Sequence, residues 1–164
     1  MRRLISGIGS KMPNKRRRTY RRISVRFSNI HGKGVFATTF IPKGTRIVEY
    51  KGMRISAEAA DEKYGDDKST HTFLFLLDDQ IVIDANRKGN SARWINHCCD
   101  PNCETSEEDG RVFIDALRDI QPGEELAYDY RLIVEERHTP VLKRLYACGC
   151  GTKACRGTIL AGKR

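Results

Sequence analysis

The sequence predicts a mainly β fold of small sheets with few short helices. Alternating apolar and polar residues recur in short runs between residues 23 and 131, turn-forming pairs punctuate those runs, and only one stretch carries both a helix start and a helix stop signal.

In chain order, Ile41-Pro42-Lys43-Gly44 is a turn, and Arg46–Tyr50 follows as a strand. Ser56 caps a helix over Ala57–Tyr64 that Gly65 ends. Thr72–Leu77 and Gln80–Asp84 flank Asp78-Asp79 as a hairpin, and a second short helix is expected from about Asn90 to Ile95. Asp109-Gly110 precedes a strand over Arg111–Ala116, and Pro122-Gly123 precedes another over Glu125–Tyr128.

At 164 residues the chain fits a single core, and no apolar run approaches the length of a membrane span. The apolar patch Leu4–Ile8 is too short for a secretory signal, so an intracellular setting is expected. Charge is unevenly placed. Residues 1–22 hold nine Lys or Arg and no acid, whereas the rest holds 21 basic and 21 acidic side chains. A basic lead on a formally neutral body suits weak contact with nucleic acid or another polyanion, and equally a solvated tail. Three parts follow: a basic lead (1–22), a β-rich body (23–131) and a tail (132–164).

The six cysteines form two clusters. Without a secretion signal, metal binding is expected before disulfides. Cys148, Cys150 and Cys155 have the form C-x-C-x4-C, which can wrap one zinc ion, with Gly149 and Gly151 permitting tight turns. A closed zinc site takes four ligands, so a fourth must come from the cluster at Cys98, Cys99 and Cys103 or from His138. Adjacent side chains diverge, so one cysteine of the first cluster is expected to ligate.

Arg93-Trp94-Ile95-Asn96-His97-Cys98-Cys99-Asp100-Pro101-Asn102-Cys103 is dense in polar residues and suits a ligand-holding loop. It resembles the R-F-I-N-H-S-C-x-P-N signature of SET-domain methyltransferases, with Trp94 for Phe and Cys98 for Ser. Other matches follow the family's order. His31–Ala37 resembles H-G-x-G-v-F-A, and Ile47–Gly52 resembles E-Y-x-G-E, with Met53 for the last Glu. Gly123–Tyr130 resembles G-E-E-L-x-[YF]-D-Y, and the cysteine tail resembles the post-SET zinc motif. These matches cover about residues 23–160. The cysteine-rich module that precedes the domain in larger members has no counterpart in residues 1–22.

The resemblance implies a SET-domain fold with a C-terminal pseudoknot and an S-adenosylmethionine-dependent lysine N-methyltransferase that releases S-adenosylhomocysteine. Cofactor contacts would come from Lys33, Gly34, Phe36, Phe73, Arg93, Trp94, Asn96, His97, Tyr130 and Leu160. Asn96 and His97 would serve the amino and adenine ends. Phe73 lacks the hydroxyl of a Tyr common there, and Leu160 stands where an aromatic often covers the adenine. Tyr130 is the first choice as catalytic residue. Tyr50, Phe75 and Tyr128 would line the lysine channel, with Tyr50 and Tyr128 also acting on the amine. A Tyr at 128 favours monomethylation, then dimethylation. Cys99 would join Cys148, Cys150 and Cys155 on one structural zinc. The implied substrate is a basic tail of a histone or histone-like protein, placing the chain at chromatin or a nucleoid. The competing function on the same fold is a non-catalytic, zinc-containing binder of chromatin or nucleic acid.

Overall fold

The computed structural model describes residues 21–65, 73–77, 80–134 and 137–162. The basic lead up to residue 20, Thr72 and the Asp78-Asp79 turn lie outside the described residues. Three small sheets and a few short helical turns make up the described residues.

The first sheet has the order β1 (Ile23–Phe27), β2 (Lys33–Ala37), β10 (Glu125–Tyr128), β7 (Asn96–His97). The second runs β3 (Arg46–Tyr50), β9 (Arg111–Ala116), β8 (Cys103–Glu108). The third runs β4 (Met53–Ser56), β6 (Ile81–Asp84), β5 (Leu74–Leu76). Helix α1 spans Ala57–Tyr64 and α2 spans Pro140–Leu145. All pairings among these strands are antiparallel except β7 on β10, where Asn96 lies opposite Ala127 and His97 opposite Tyr128.

Local signals explain most boundaries. Asp109 and Gly110 have φ of 51° and 66°, the backbone of a tight two-residue hairpin, and they join β8 to β9 with Glu108 opposite Arg111. Val112, Phe113 and Ile114 are all buried, as a central strand with both faces covered requires. Val35, Ile41, Ile95, Ile114, Ile120 and Leu126 are fully buried, so the core draws on all parts of the body.

Several elements differ from expectation. The segment His31–Ala37, assigned no strand from sequence, is strand β2 from Lys33 onward. The helix expected over Asn90–Ile95 is a 3-10 turn, Ser91–Trp94, capped by the Asn90 side chain on Ala92 N–H. Gly65 is right-handed (φ −59°), with its N–H still donating to Asp61 O, so α1 ends without a left-handed cap. Helix α2 was not anticipated. Thr139 followed by Pro140 was its signal, an N-cap followed by a first-turn proline.

Helix α1 buries only Ala60, and eight residues are too few for independent stability. Asp84 supplies the missing tie. Its side chain is fully buried and accepts from Tyr64 Oη at 2.8 Å, Lys63 Nζ at 3.1 Å and Asn86 N–H at 2.9 Å. Burial pushes the carboxyl pKa up, but these bonds outweigh it and hold Asp84 below its ordinary value. Asp84→Asn is therefore expected to destabilise the fold by about 1–3 kcal/mol near neutral pH. The folded pKa lies below the unfolded value of ~3.9, so the contribution is complete above the unfolded pKa and is lost as pH falls through the folded one. Denaturant midpoints of wild type and Asp84→Asn should therefore differ at pH 7 and converge on acidification.

Candidate functional site

The parallel pairing of β7 with β10 sets Asn96 and His97 beside Ala127 and Tyr128. Asn102 secures the crossing, donating to Glu125 O and accepting from Ala127 N–H at 2.8 and 2.9 Å. Asn90 donates to Glu49 O at 2.7 Å and so ties the 3-10 turn to the end of β3 that carries Tyr50. Residues quoted from three separate sequence motifs thus meet in one region.

A cavity of about 310 Å³ opens there. Its body wall includes Lys33, Phe73, Arg93, Trp94, Asn96, His97 and Tyr130; its other wall is the tail, through Leu145–Gly149 and Ile159. Seven of the ten residues expected at a cofactor are therefore brought together. Gly34, Phe36 and Leu160 do not line the cavity. A Cβ on Gly34 would fall 2.2 Å from Glu125 Oε1, so this glycine admits the carboxylate behind the wall. Phe36 lies under the Arg26 guanidinium, and Leu160 is a core residue, 1% exposed, on the bridge to Leu132. Trp94 carries two cations near its ring, Lys33 Nζ and Arg93 Cζ, each 4.6 Å from the centroid, and meets Phe73 edge-on at 4.9 Å. Cations at this wall suit a carboxylate.

Tyr130 joins the cavity to a buried aromatic cluster. It lies 4.9 Å from Tyr128, and Tyr50 lies 5.5 Å from Phe75. Burial first, and the neighbouring Tyr130 second, raise the phenol pKa values of Tyr50 and Tyr128; burial also raises that of Tyr130. All three are neutral hydroxyls at pH 7 and none is a phenolate base. Tyr130 Oη donates to Ile95 O at 2.8 Å, which commits its proton and leaves its lone pairs to accept. The hydroxyls of Tyr50 and Tyr128 have no hydrogen-bond partner among the described residues, and neither is sealed from solvent-sized groups.

His97 connects this strand to the tail. Its Nδ1 accepts from Tyr130 N–H at 3.1 Å, so the ring proton sits on Nε2, which faces Cys99 Sγ at 3.3 Å. Burial lowers the His97 pKa and keeps the ring neutral. Asp129, between Tyr128 and Tyr130, holds the Arg156 guanidinium with both oxygens at 2.7 and 2.8 Å. Arg156 N–H in turn donates to Cys99 Sγ at 3.3 Å. Neither Asp129 nor Arg156 was singled out from sequence; their signals were their positions inside Y-D-Y and directly after Cys155.

Cys99, Cys148, Cys150 and Cys155 place their sulfurs within 4.8 Å of one another. A zinc tetrahedron with ~2.3 Å bonds has sulfur–sulfur edges of about 3.8 Å. The Cys99–Cys148 pair stands at 3.7 Å, so the donor set fits the ion. Burial first raises both of these thiols, and a divalent cation would supply the charge that lets them ionise. His138 is outside the group. Cys98 is a buried thiol bonded to Asp100 backbone atoms, pushed up to about 11 by burial, and Cys103 is a fully buried core residue pushed up to about 12.

Residues 32–131, more than half of the chain, match the SET domain, and the protein belongs to that family. It is 41% identical over 135 residues to the histone-lysine N-methyltransferase trithorax of Drosophila melanogaster, covering 79% of this chain and 3% of that protein. It is 39% identical over 140 residues to human histone-lysine N-methyltransferase 2B, covering 82% and 5%. With the H3 lysine-4-specific enzyme of Chaetomium globosum it shares 42% over 139 residues, covering 80% and 12%. The chain thus spans a small fraction of the length of these relatives.

One sulfur geometry generates a sharp contrast between neighbours. Cys99→Ala should reduce bound zinc from about one per chain to near none by elemental analysis, and speed amide exchange across Tyr146–Gly149. Cys98→Ser should leave the zinc content unchanged.

Proposed function

We propose that the protein is an S-adenosylmethionine-dependent protein-lysine N-methyltransferase acting on basic tails of histone or histone-like proteins. The observation that carries this reading is the position of Tyr130, which lines the cavity of about 310 Å³ and packs on Tyr128 of the buried aromatic cluster. A donor in the cavity and an acceptor among the aromatics would meet at this ring. The relatives' names support the reaction class.

S-adenosylmethionine supplies an electrophilic methyl group on a sulfonium. Arg93, Lys33 and Trp94 form a cationic, aromatic wall for its carboxylate and ring system. Asn96 and His97 hold its amino and adenine ends. The Tyr130 oxygen, its proton committed to Ile95 O, accepts weak C–H···O contacts from the polarised methyl. Tyr50 and Tyr128 offer partnerless hydroxyls to the lysine amine. The amine must be neutral to attack, and a free lysine has a pKa of ~10.4. Burial among Tyr50, Phe75, Tyr128 and Tyr130, with a sulfonium nearby, lowers that value. The proton passes to water, because all three tyrosines remain protonated. The amine lone pair would form the N–C bond as the S–C bond breaks, and the residues around Tyr130 would contribute chiefly by aligning the two.

Residues 23–131 would form the catalytic body and 132–164 a tail held by one structural zinc through Cys99, Cys148, Cys150 and Cys155. The ion would steady the cavity wall that Cys148 lines and would take no part in the transfer. The lead, residues 1–22, would add weak nucleic-acid contact at chromatin or a nucleoid. Among the described residues no helix is long and apolar enough to cross a membrane.

Mass spectrometry of a histone mixture incubated with cofactor tests the reading. Wild type is expected to add methyl groups to lysine, and Tyr130→Phe to lower the turnover by about 100-fold. No transfer by wild type, or full transfer by Tyr130→Phe, would overturn it. The Tyr128 hydroxyl limits the space around the amine, so wild type should yield monomethyl, then dimethyl, product. Tyr128→Phe is expected to shift the product ratio towards dimethyl and trimethyl lysine in the same spectra.

A further inference from the structure

Asn96 Nδ2 faces a shell made only of acceptors. Glu125 Oε1 lies at 2.8 Å, Lys33 O at 3.0 Å, Ser28 Oγ at 3.1 Å and His31 O at 3.4 Å. Ser28 acts as an acceptor here because its one proton goes to the Glu125 carboxylate, whose oxygens lie 2.7 and 2.9 Å away. Ser28 is itself fixed, 2% exposed and accepting from Ile30 N–H at 3.0 Å. An amide can offer only its NH2 to such a shell, so the orientation of Asn96 follows from chemistry. Its Oδ1 accepts no bond among the described residues and is not a sealed, unpaired atom. Asn96 lines the cavity, so that oxygen is available to a ligand.

We infer that Glu125 and Ser28 are positioning residues that lock Asn96 with its carbonyl oxygen towards the cavity, making this end of the site select a cationic N–H donor. The inference rests on the cofactor reading above and deepens it. The ligand group is the α-ammonium of the amino-acid moiety. Two features favour an ammonium over a neutral donor: the acceptor that meets it, and the Glu125 carboxylate directly behind that acceptor. Gly34 belongs to the same device. It lies on β2 opposite Arg26, where a Cβ would strike Glu125 Oε1 at 2.2 Å and Ser28 Cβ at 2.9 Å, so no larger residue leaves the carboxylate in place. The Glu125 main chain is pinned by Asn102, which keeps the carboxylate from retreating.

Glu125→Gln keeps the shape and breaks the logic. The new amide can turn either its oxygen or its N–H2 towards Asn96, so the shell no longer fixes a single orientation. The chain's single tryptophan, Trp94, lines the same cavity and reports binding by fluorescence. Two probes are titrated into the 164-residue chain: S-adenosylhomocysteine, and its analogue lacking the α-amino group. Wild type is expected to bind the first about tenfold or more tightly than the second. In Glu125→Gln and Ser28→Ala that ratio should fall towards one, with zinc content unchanged. A merely structural role would weaken both probes alike and leave the ratio intact, which would overturn the inference. Equal binding of both probes by wild type would overturn it too, while leaving the cofactor site standing. If wild type bound neither probe, the cofactor reading would fall and the inference with it.

Discussion

A single hydrogen bond holds the arrangement together: Tyr130 N–H donates to His97 Nδ1 across 3.1 Å. It forms because β7 runs parallel to β10, a pairing that places residues more than thirty positions apart side by side. Once Nδ1 accepts, the proton must sit on Nε2, and Nε2 faces Cys99. One imidazole thereby sets the turn after β10 and orients a cysteine of the thiol cluster. The neutral state that this requires is favoured by burial.

The tail is attached to the body in two chemically different ways. Four converging sulfurs suit one divalent cation. Independently, Asp129 grips Arg156 with both carboxylate oxygens, and Leu132 exchanges backbone bonds with Ile159 and Ala161. The ion pair carries information as well as energy, because Asp129 is flanked by Tyr128 and Tyr130. Arg131, next along the chain, takes φ of 47° while its N–H donates to Asp129 Oδ1. A cavity with one wall on a separate segment can be completed only when that segment docks.

Charges inside the body are handled by partnership. Asp84, Glu125 and Asp129 each lie in or near the interior, and each accepts several hydrogen bonds from fixed donors. No buried side-chain oxygen or nitrogen among the described residues is left unpaired. Against that background the hydroxyls of Tyr50 and Tyr128 and the carbonyl oxygen of Asn96 stand out as atoms without a hydrogen-bond partner among the described residues.

By itself the sequence determined the β-rich class, the capped helix after Ser56, the Asp109-Gly110 hairpin and the identity of the four cysteines. These depend on local conformational preference or on side-chain chemistry that survives translation into three dimensions. The ordered motifs also named most of the cavity wall, because residues 93–97 are contiguous and carry their neighbours with them. Tertiary structure alone decided the rest. Leu160 turned into the core and Ile159 towards the cavity, since neighbouring residues in an extended segment face opposite ways and one buried bridge to Leu132 fixed which. Gly34 also admits Glu125, a carboxylate ninety-one positions away. Asp129 and Arg156 became partners only because the tail folds back over β10. Such roles arise from long-range juxtaposition, which no local pattern encodes.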